Sequence, residues 1–312
     1  MRVCIIGTAG HTKEAYRYLK TRNDVEICGI APGSIHETNV RALDGEIPYY
    51  EDYGAMLDTQ KPDLAVVSPV FGLTGEVILA CAARGINVFA EKPIASSEEE
   101  LQRVKRAVEE SGIRFSAMHY LRFLPAFYRG AEIVRSGAIG DVRMVTAQKS
   151  YRYGTRPAWY GDRRLYGGTI PWVGIHAIDW IYHFTGLRFT SVTSQAVGSD
   201  PEMAALCQFT MENGAAASVN IDYYRPKGAP THGDDRIRCV GTKGVLEIRD
   251  GQVILTHADG VRIETPTEAP SLLGTFLMGE DPIPVEELFY LTRVAIRARD
   301  SADLSKTLKI EV

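Results

Sequence analysis

The stretch GGTIPWVGIHAIDW, Gly167 to Trp180, holds residue types that can move a proton. His176 and Asp179 lie three apart on an expected helix and so share one face. The Gly167-Gly168 pair ahead of them lets another molecule approach the backbone closely. A histidine titrates near neutral pH and suits general acid–base work. Trp172, one helical turn before His176, can wall a pocket but can neither give nor take a proton. A second candidate is Lys92, in Asn87-Val88-Phe89-Ala90-Glu91-Lys92-Pro93-Ile94, just past the carboxyl end of an expected buried strand. Ligands of open α/β sheets bind at that edge. Pro93 disfavours helical geometry at Lys92, and the Lys92–Pro93 bond can be cis. The plainer alternative is a solvated lysine that opens a loop.

A third candidate is the turn Gly7-Thr8-Ala9-Gly10-His11-Thr12, between an apolar strand and a helix. Glycine there lets a pyrophosphate meet backbone N–H groups at a helix N-terminus. Gly7, Ala9, Gly10, His11 and Thr12 are the expected contacts. Ala9 stands where a dinucleotide fingerprint has its second glycine and Thr12 where it has its third. An acid after the second strand would bind the adenosine ribose, but Gly29-Ile30-Ala31-Pro32-Gly33-Ser34 offers none. Ser34, His36 or Arg41 would instead face a 2′-phosphate, so NAD and NADP both stay open.

The segment Tyr151–Tyr166 carries four arginines and five aromatic residues in sixteen positions. Aromatic faces suit sugar rings, and arginine pairs bidentately with carboxylate or phosphate. Arg156, Trp159, Tyr160 and Arg163 are therefore candidates to line a site for an anionic sugar derivative. The alternative is that they brace an interface. Thr231-His232-Gly233-Asp234-Asp235 reads as a solvated turn, and no metal is expected.

Strand and helix alternate along the first 120 or so residues: strands at Arg2–Ile6, Val25–Ala31, Leu64–Val67, Asn87–Ala90 and Phe115–Ala117, helices at Thr12–Lys20, Tyr53–Asp58, Glu76–Arg84 and Ser97–Ser111. Strict alternation implies parallel strands with helical crossovers, an α/β, Rossmann-like doubly wound domain over residues 1–120. From 121 to 312 the rhythm changes. Helices at Ala126–Ser136 and Val173–Thr185 accompany a strand at Val142–Ser150. Strands then follow in series at Thr190–Ala196, Ala205–Thr210, Ala216–Tyr223, Arg236–Val240, Val245–Arg249, Gln252–Leu255 and Val261–Glu264. A helix at Val285–Arg299, which can pack back on the first domain, precedes a strand at Thr307–Val312. This is an α+β domain with a mostly antiparallel open sheet.

Composition narrows the function classes. A net charge of -4 gives no basic footprint for nucleic acid. No apolar run reaches the roughly 18 residues of a membrane span, and a strand expected at Arg2 leaves no room for a signal peptide. The five cysteines form no CxxC pair, which points to a reducing cytoplasm and away from structural zinc.

Several blocks taken together resemble the Gfo/Idh/MocA oxidoreductases, the glucose-fructose oxidoreductase and inositol dehydrogenase family. Gly85 through Ala95 is similar to the family's G-x-x-V-x-x-E-K-P-x-A block. Tyr120-Leu121-Arg122-Phe123-Leu124-Pro125 is similar to its Y-x-R-F/Y-x-P segment. Ser136–Gly140 is similar to the turn into its second domain, and Gly241–Glu247 to a G-T-x-G-x-L-E strand. Gly167 through Asp179 resembles its G-G-x-L-x-D-x-G-x-H-x-x-D motif.

The resemblance implies hydride transfer between NAD or NADP and a sugar, cyclitol or sugar-acid-like alcohol or ketone, in a homodimer or homotetramer. Lys92 would correspond to the active-site lysine and His176 to the catalytic histidine. Ser68, Pro69 and Glu91 would lie beside the cofactor; Tyr120, Trp172 and Asp179 would face the substrate. The chain departs from the family at Trp172, which replaces an aspartate, at Val70 in the S/T-P-N stretch, and at Thr74 in place of a histidine. Two other readings therefore stand beside the dehydrogenase: a non-catalytic ligand-binding or regulatory protein, and elimination or epimerisation with a tightly held cofactor.

Overall fold

The computed structural model describes residues 1–311 apart from 38 and 200. Two compact units emerge, the first made of Met1–Met118, Gly161–Gly167 and Ser271–Arg293. The second is made of His119–Tyr160, Gly168–Pro270 and Val294–Val312.

The first unit is built on β1 (Arg2–Ile6), α1 (Thr12–Lys20), β2 (Glu26–Ala31), α2 (Tyr53–Gln60), β3 (Leu64–Val67), α3 (Thr74–Ala82), β4 (Asn87–Ala90), α4 (Glu98–Ser111) and β5 (Phe115–Ala117). The five strands run parallel in the order β2-β1-β3-β4-β5. Both faces are covered, so β3 is buried at every position, as its run Leu-Ala-Val-Val requires. Local chemistry sets the helix ends. Asp52 accepts the Ala55 N–H to start α2. Ser97 accepts the Glu100 N–H at 3.2 Å, while Glu100 accepts the Ser96 N–H at 2.6 Å, a reciprocal cap on α4. Gly112 ends α4 at φ 66°, where a side chain would be strained.

In the second unit α5 (Pro125–Arg135) leads to β6 (Val142–Tyr151). The short α6 (Arg163–Tyr166), not expected from the sequence, belongs to the first unit. A one-turn π-helix, Ile170–Gly174, runs into α7 (Ile175–Thr185). Then come β7 (Phe189–Val197), β8 (Ala204–Met211), β9 (Ala216–Asp222), β10 (Gly233–Gly241), β11 (Gly244–Arg249), β12 (Gln252–His257) and β13 (Gly260–Glu264). The chain closes with α8 (Leu272–Leu277), α9 (Val285–Leu304) and β14 (Leu308–Lys309). The nine-stranded sheet has the order β13-β12-β11-β10-β6-β9-β8-β7-β14. Its pairs are antiparallel except β6 with β9. The expected strand Thr307–Val312 is thus confined to two residues; Val312 lies outside the described residues.

α8 and the start of α9 complete the first unit from far along the chain. Phe276 on α8 meets Phe89 at 5.8 Å, and Phe289 on α9 stacks on Phe115 at 5.7 Å. Such pairs add about 0.5–1.5 kcal/mol each beyond their buried area. No helix among the described residues is long and apolar enough to cross a membrane.

Candidate active site

In the first unit the chemistry gathers at the carboxyl ends of β1 to β4. The strand order reverses beside β1, where β2 and β3 flank it. Open parallel sheets take ligands at such a point. Gly7 sits there at φ +76°, and a Cβ on it would lie 2.3 Å from the Ser68 carbonyl oxygen. Only glycine fits. The Gly7 N–H donates to Ala31, and the Ala9 N–H donates to the Ser68 carbonyl at 3.0 Å. The Ser68 and Thr12 hydroxyls both donate to the Ala9 carbonyl. Thr12 and Ser68 therefore hold the turn that a third glycine would otherwise relax. Pro69 packs beneath the next loop: a Cβ on Gly33 would be 2.3 Å from Pro69 Cβ.

Among the described residues, the N–H groups of Gly10, Thr12 and Lys13 have no protein acceptor. These are the donors a pyrophosphate needs at the start of α1, and the turn fits a dinucleotide.

Glu91, expected beside the cofactor, is 0% exposed. Its carboxylate accepts the His11 N–H, faces His11 Nδ1 at 3.0 Å and accepts the Lys92 N–H at 3.0 Å. Burial alone would raise this carboxyl, but the His11 ring and the Lys92 ammonium outweigh it and hold it below its usual range. Glu91 and His11 brace the glycine turn from behind. Lys92 is no solvated loop residue either, being 1% exposed with Nζ 3.9 Å from Glu91 Oε1. The Lys92–Pro93 bond is cis.

The acid that the sequence lacked after β2 arrives from further on. Glu37 bends back so that Oε2 accepts the Gly33 and Ser34 N–H groups at 2.6 and 3.0 Å. The Ser34 hydroxyl, expected to face the cofactor, accepts the His36 N–H at 3.3 Å. An acid close behind a Pro-Gly turn was the available signal for Glu37.

In the second unit the π turn holds Trp172, 8% exposed, and delivers His176, 3% exposed, at the head of α7. Single π turns inside α-helices concentrate at functional sites. The turn presses on β9: a Cβ on Gly174 would be 2.5 Å from Ile221 Cδ1. Asp179, expected to face the substrate, is 0% exposed and paired with Arg122, whose Nε lies 3.0 Å from Oδ1. His119 Nδ1 is 3.4 Å from its other oxygen. Burial would raise the Asp179 carboxyl, but Arg122 and His119 overcome it and hold it far below the usual carboxylate range. A carboxylate so held does not exchange protons near neutrality. Tyr120 lies half-buried in the 3-10 turn Tyr120–Phe123, two residues before Arg122.

The arginine-aromatic segment divides. Arg163 falls in the first unit on α6. Arg156, Trp159 and Tyr160 stay in the second, with the Trp159 and Tyr160 rings 4.5 Å apart. The Arg156 guanidinium lies 5.3 Å from the Tyr160 ring, 5.7 Å from Tyr223 and 6.0 Å from Tyr153. Neither Arg156 nor Arg152 has a carboxylate partner among the described residues, and the Nε of each is buried without an acceptor.

Lys149 escaped the sequence reading. It is 0% exposed, pairs with Asp235 at 2.7 Å and lies over the Trp180 and Tyr151 rings. Burial pulls its ammonium down to about 8, against the opposing pull of Asp235. A lysine on the inward face of a period-two strand was the signal. Asp234 pairs with Arg236 and Arg225. Among the described residues no group of three or more His, Cys, Asp or Glu could hold a metal ion.

Residues 1–119 match the model of the oxidoreductase family with an NAD-binding Rossmann fold, and residues 127–247 match the GFO/IDH/MocA C-terminal domain. The chain is 28% identical over 283 residues to a D-xylose 1-dehydrogenase (NADP(+)) of Haloferax volcanii, covering 86% of this chain and 83% of that protein. A solved structure from Thermotoga maritima, described as a candidate oxidoreductase, is 38% identical with a TM-score of 0.94, covering 99% of this chain and 100% of the other. A levoglucosan dehydrogenase solved with NADH and levoglucosan shares the fold at TM-score 0.84 and 16% identity, covering all of both chains.

Proposed function

Since the chain belongs to the GFO/IDH/MocA family of NAD(P)-binding oxidoreductases, we propose that it interconverts an alcohol and a ketone on a sugar, cyclitol or sugar acid, with Lys92 and His176 as its catalytic residues. The observation that carries this is Lys92, an ammonium 1% exposed at the carboxyl edge of the parallel sheet. A buried ammonium at the ligand-binding edge of such a sheet marks a candidate functional site, although Glu91 also lies 3.9 Å from it. When bound, the nicotinamide accepts or returns a hydride. The His176 imidazole takes the hydroxyl proton as the carbinol is oxidised. The Lys92 ammonium donates a hydrogen bond to the negative charge growing on oxygen. Trp172, in place of the expected carboxylate, leaves His176 as the proton carrier.

Among these substrates the reading favours one that carries an anionic group such as a carboxylate or phosphate. Arg152 and Arg156 support it, since buried guanidinium nitrogens without acceptors favour an anionic ligand. The reading includes a homodimer or homotetramer in the cytoplasm; Met144 on β6 and Leu206 on β8 are exposed apolar side chains on the open sheet.

The test is turnover on a panel of neutral sugars, cyclitols, aldonic acids and uronic acids. His176→Asn and Lys92→Met should each lower kcat about 10²–10⁴-fold with dinucleotide binding kept. Undiminished turnover in both variants would remove the assignment. Binding of panel members without turnover by the unaltered protein would favour the non-catalytic scaffold, the reading that Trp172 keeps in play.

A further inference from the structure

The loop after β2 carries a feature that bears on which dinucleotide the protein takes. Glu37 lies beyond the end of β2, and its carboxylate turns back into a ring of three backbone N–H groups. Oε2 accepts from Gly33 at 2.6 Å and Ser34 at 3.0 Å, and Oε1 faces the Thr8 N–H at 3.4 Å. Two of these donors follow β2 and the third belongs to the glycine turn after β1. Converging main-chain N–H groups of this kind form an anion seat. The approach is close enough to depend on Gly33, where a Cβ would lie 3.1 Å from Glu37 Oε2 as well as against Pro69.

The position of this seat matters. It joins the turn that fits a pyrophosphate to the loop where a doubly wound fold meets the adenosine ribose. A 2′-phosphate needs N–H donors and a cation there. The donors are already taken by a carboxylate of the same sign. Arg41, the arginine that follows in sequence, lies over the Tyr49 ring at 5.7 Å. A ribose 2′-hydroxyl, by contrast, can donate to that carboxylate and meets no like charge. Burial pushes the Glu37 carboxyl up to about 7, against the pull of the three N–H groups. The carboxyl therefore carries its full charge only above that pH, so discrimination against a 2′-phosphate should sharpen as pH rises through about 7.

We infer that Glu37 is the residue that selects NAD over NADP, acting as an in-chain anion in the seat a 2′-phosphate would occupy. The inference rests on the dinucleotide reading of the glycine turn but adds a residue and a direction that the reading leaves open.

Calorimetric titration of the purified full chain with NADH, NADPH, 5′-AMP and 2′,5′-ADP tests it. The unaltered protein should bind NADH at least about tenfold more tightly than NADPH, the step that 1.4 kcal/mol represents. It should prefer 5′-AMP to 2′,5′-ADP in the same sense. Glu37→Gln, which keeps the side-chain length and one acceptor oxygen, should close the gap mainly by strengthening NADPH. NADPH bound as tightly as NADH by the unaltered protein would overturn the inference, whether or not the variant folds. So would a ratio unchanged in a folded Glu37→Gln protein. Failure of all four ligands to bind would overturn the dinucleotide reading itself, and the inference with it.

Discussion

Removing the guanidinium from Arg122 should unfold the second unit more readily without touching the proton-transfer group. Arg122 is 3% exposed and Asp179 is 0% exposed. In Arg122→Met the Asp179 carboxylate keeps His119, at 3.4 Å, as a candidate counter-charge. Breaking a buried pair by deleting one partner costs about 3–5 kcal/mol, because the other charge stays out of water. For a unit of this size a kcal/mol moves Tm by about 2–4 °C, so the melting point should fall by roughly 10 °C. Replacing both partners, Arg122→Met with Asp179→Leu, should restore most of the loss, since no buried charge is left behind.

The pH dependence supplies a second readout. In the unaltered protein Arg122 holds the Asp179 carboxyl below its ordinary value of 3.8. Its contribution is then fully present above that value and is lost as pH falls through and below it. In Arg122→Met burial dominates and raises the carboxyl instead. The variant then loses stability relative to the unaltered protein as pH rises from about 4.5 to 7. Thermal melts by circular dichroism at several pH values give both quantities. A Tm within about 2 °C of the unaltered protein would refute the account, as less than about 1 kcal/mol would then be at stake. So would an Asp179→Asn protein with unchanged Tm and kcat down a hundredfold or more, which would return Asp179 to the chemistry.

Two further outcomes follow from the packing. Gly7→Ala would put a Cβ 2.3 Å from a main-chain oxygen at φ +76°, so the turn must move; dinucleotide affinity by calorimetry should fall at least about tenfold, with about 1–3 kcal/mol of stability lost. The Lys149 ammonium is lowered to about 8 from its ordinary 10.5, so the folded state releases its proton first. The cost of burying that charge is full below pH 8 and is relieved as pH rises toward 10.5. Denaturant melts should therefore show the unaltered protein gaining on the order of 3 kcal/mol, relative to Lys149→Met with Asp235→Asn, between pH 8 and 10.5. A flat difference would count against a buried, charged Lys149.

Trp172 shows how a local reading and the fold can diverge. By plain helical spacing it stands one turn before His176. The structure places it on a π turn wedged against β9 at Gly174, before α7 begins. The helix was legible from its apolar pattern, and the π turn was not, because nothing in the residue types announces where a helix takes an extra residue.

The features that the sequence by itself determined are those whose causes are local. The buried run Leu64–Val67, the cap at Ser97, the stop at Gly112 and the glycine at position 7 each follow from side-chain period, a nearby hydrogen bond or a positive φ. The parallel first sheet followed from strand–helix alternation, and Lys92 and His176 could be singled out by type and place. What only the tertiary structure decided is the state of the charges. Asp179 is neutralised from fifty-seven residues away, Lys149 from eighty-six and His11 meets Glu91 across eighty. Glu37 is closer in sequence, yet its ring of donors exists only because the loops after β1 and β2 are brought together. A carboxylate or ammonium in a sequence carries its ordinary affinity for protons. Burial and the groups packed against it set the value that chemistry uses, and those neighbours are assembled by the fold.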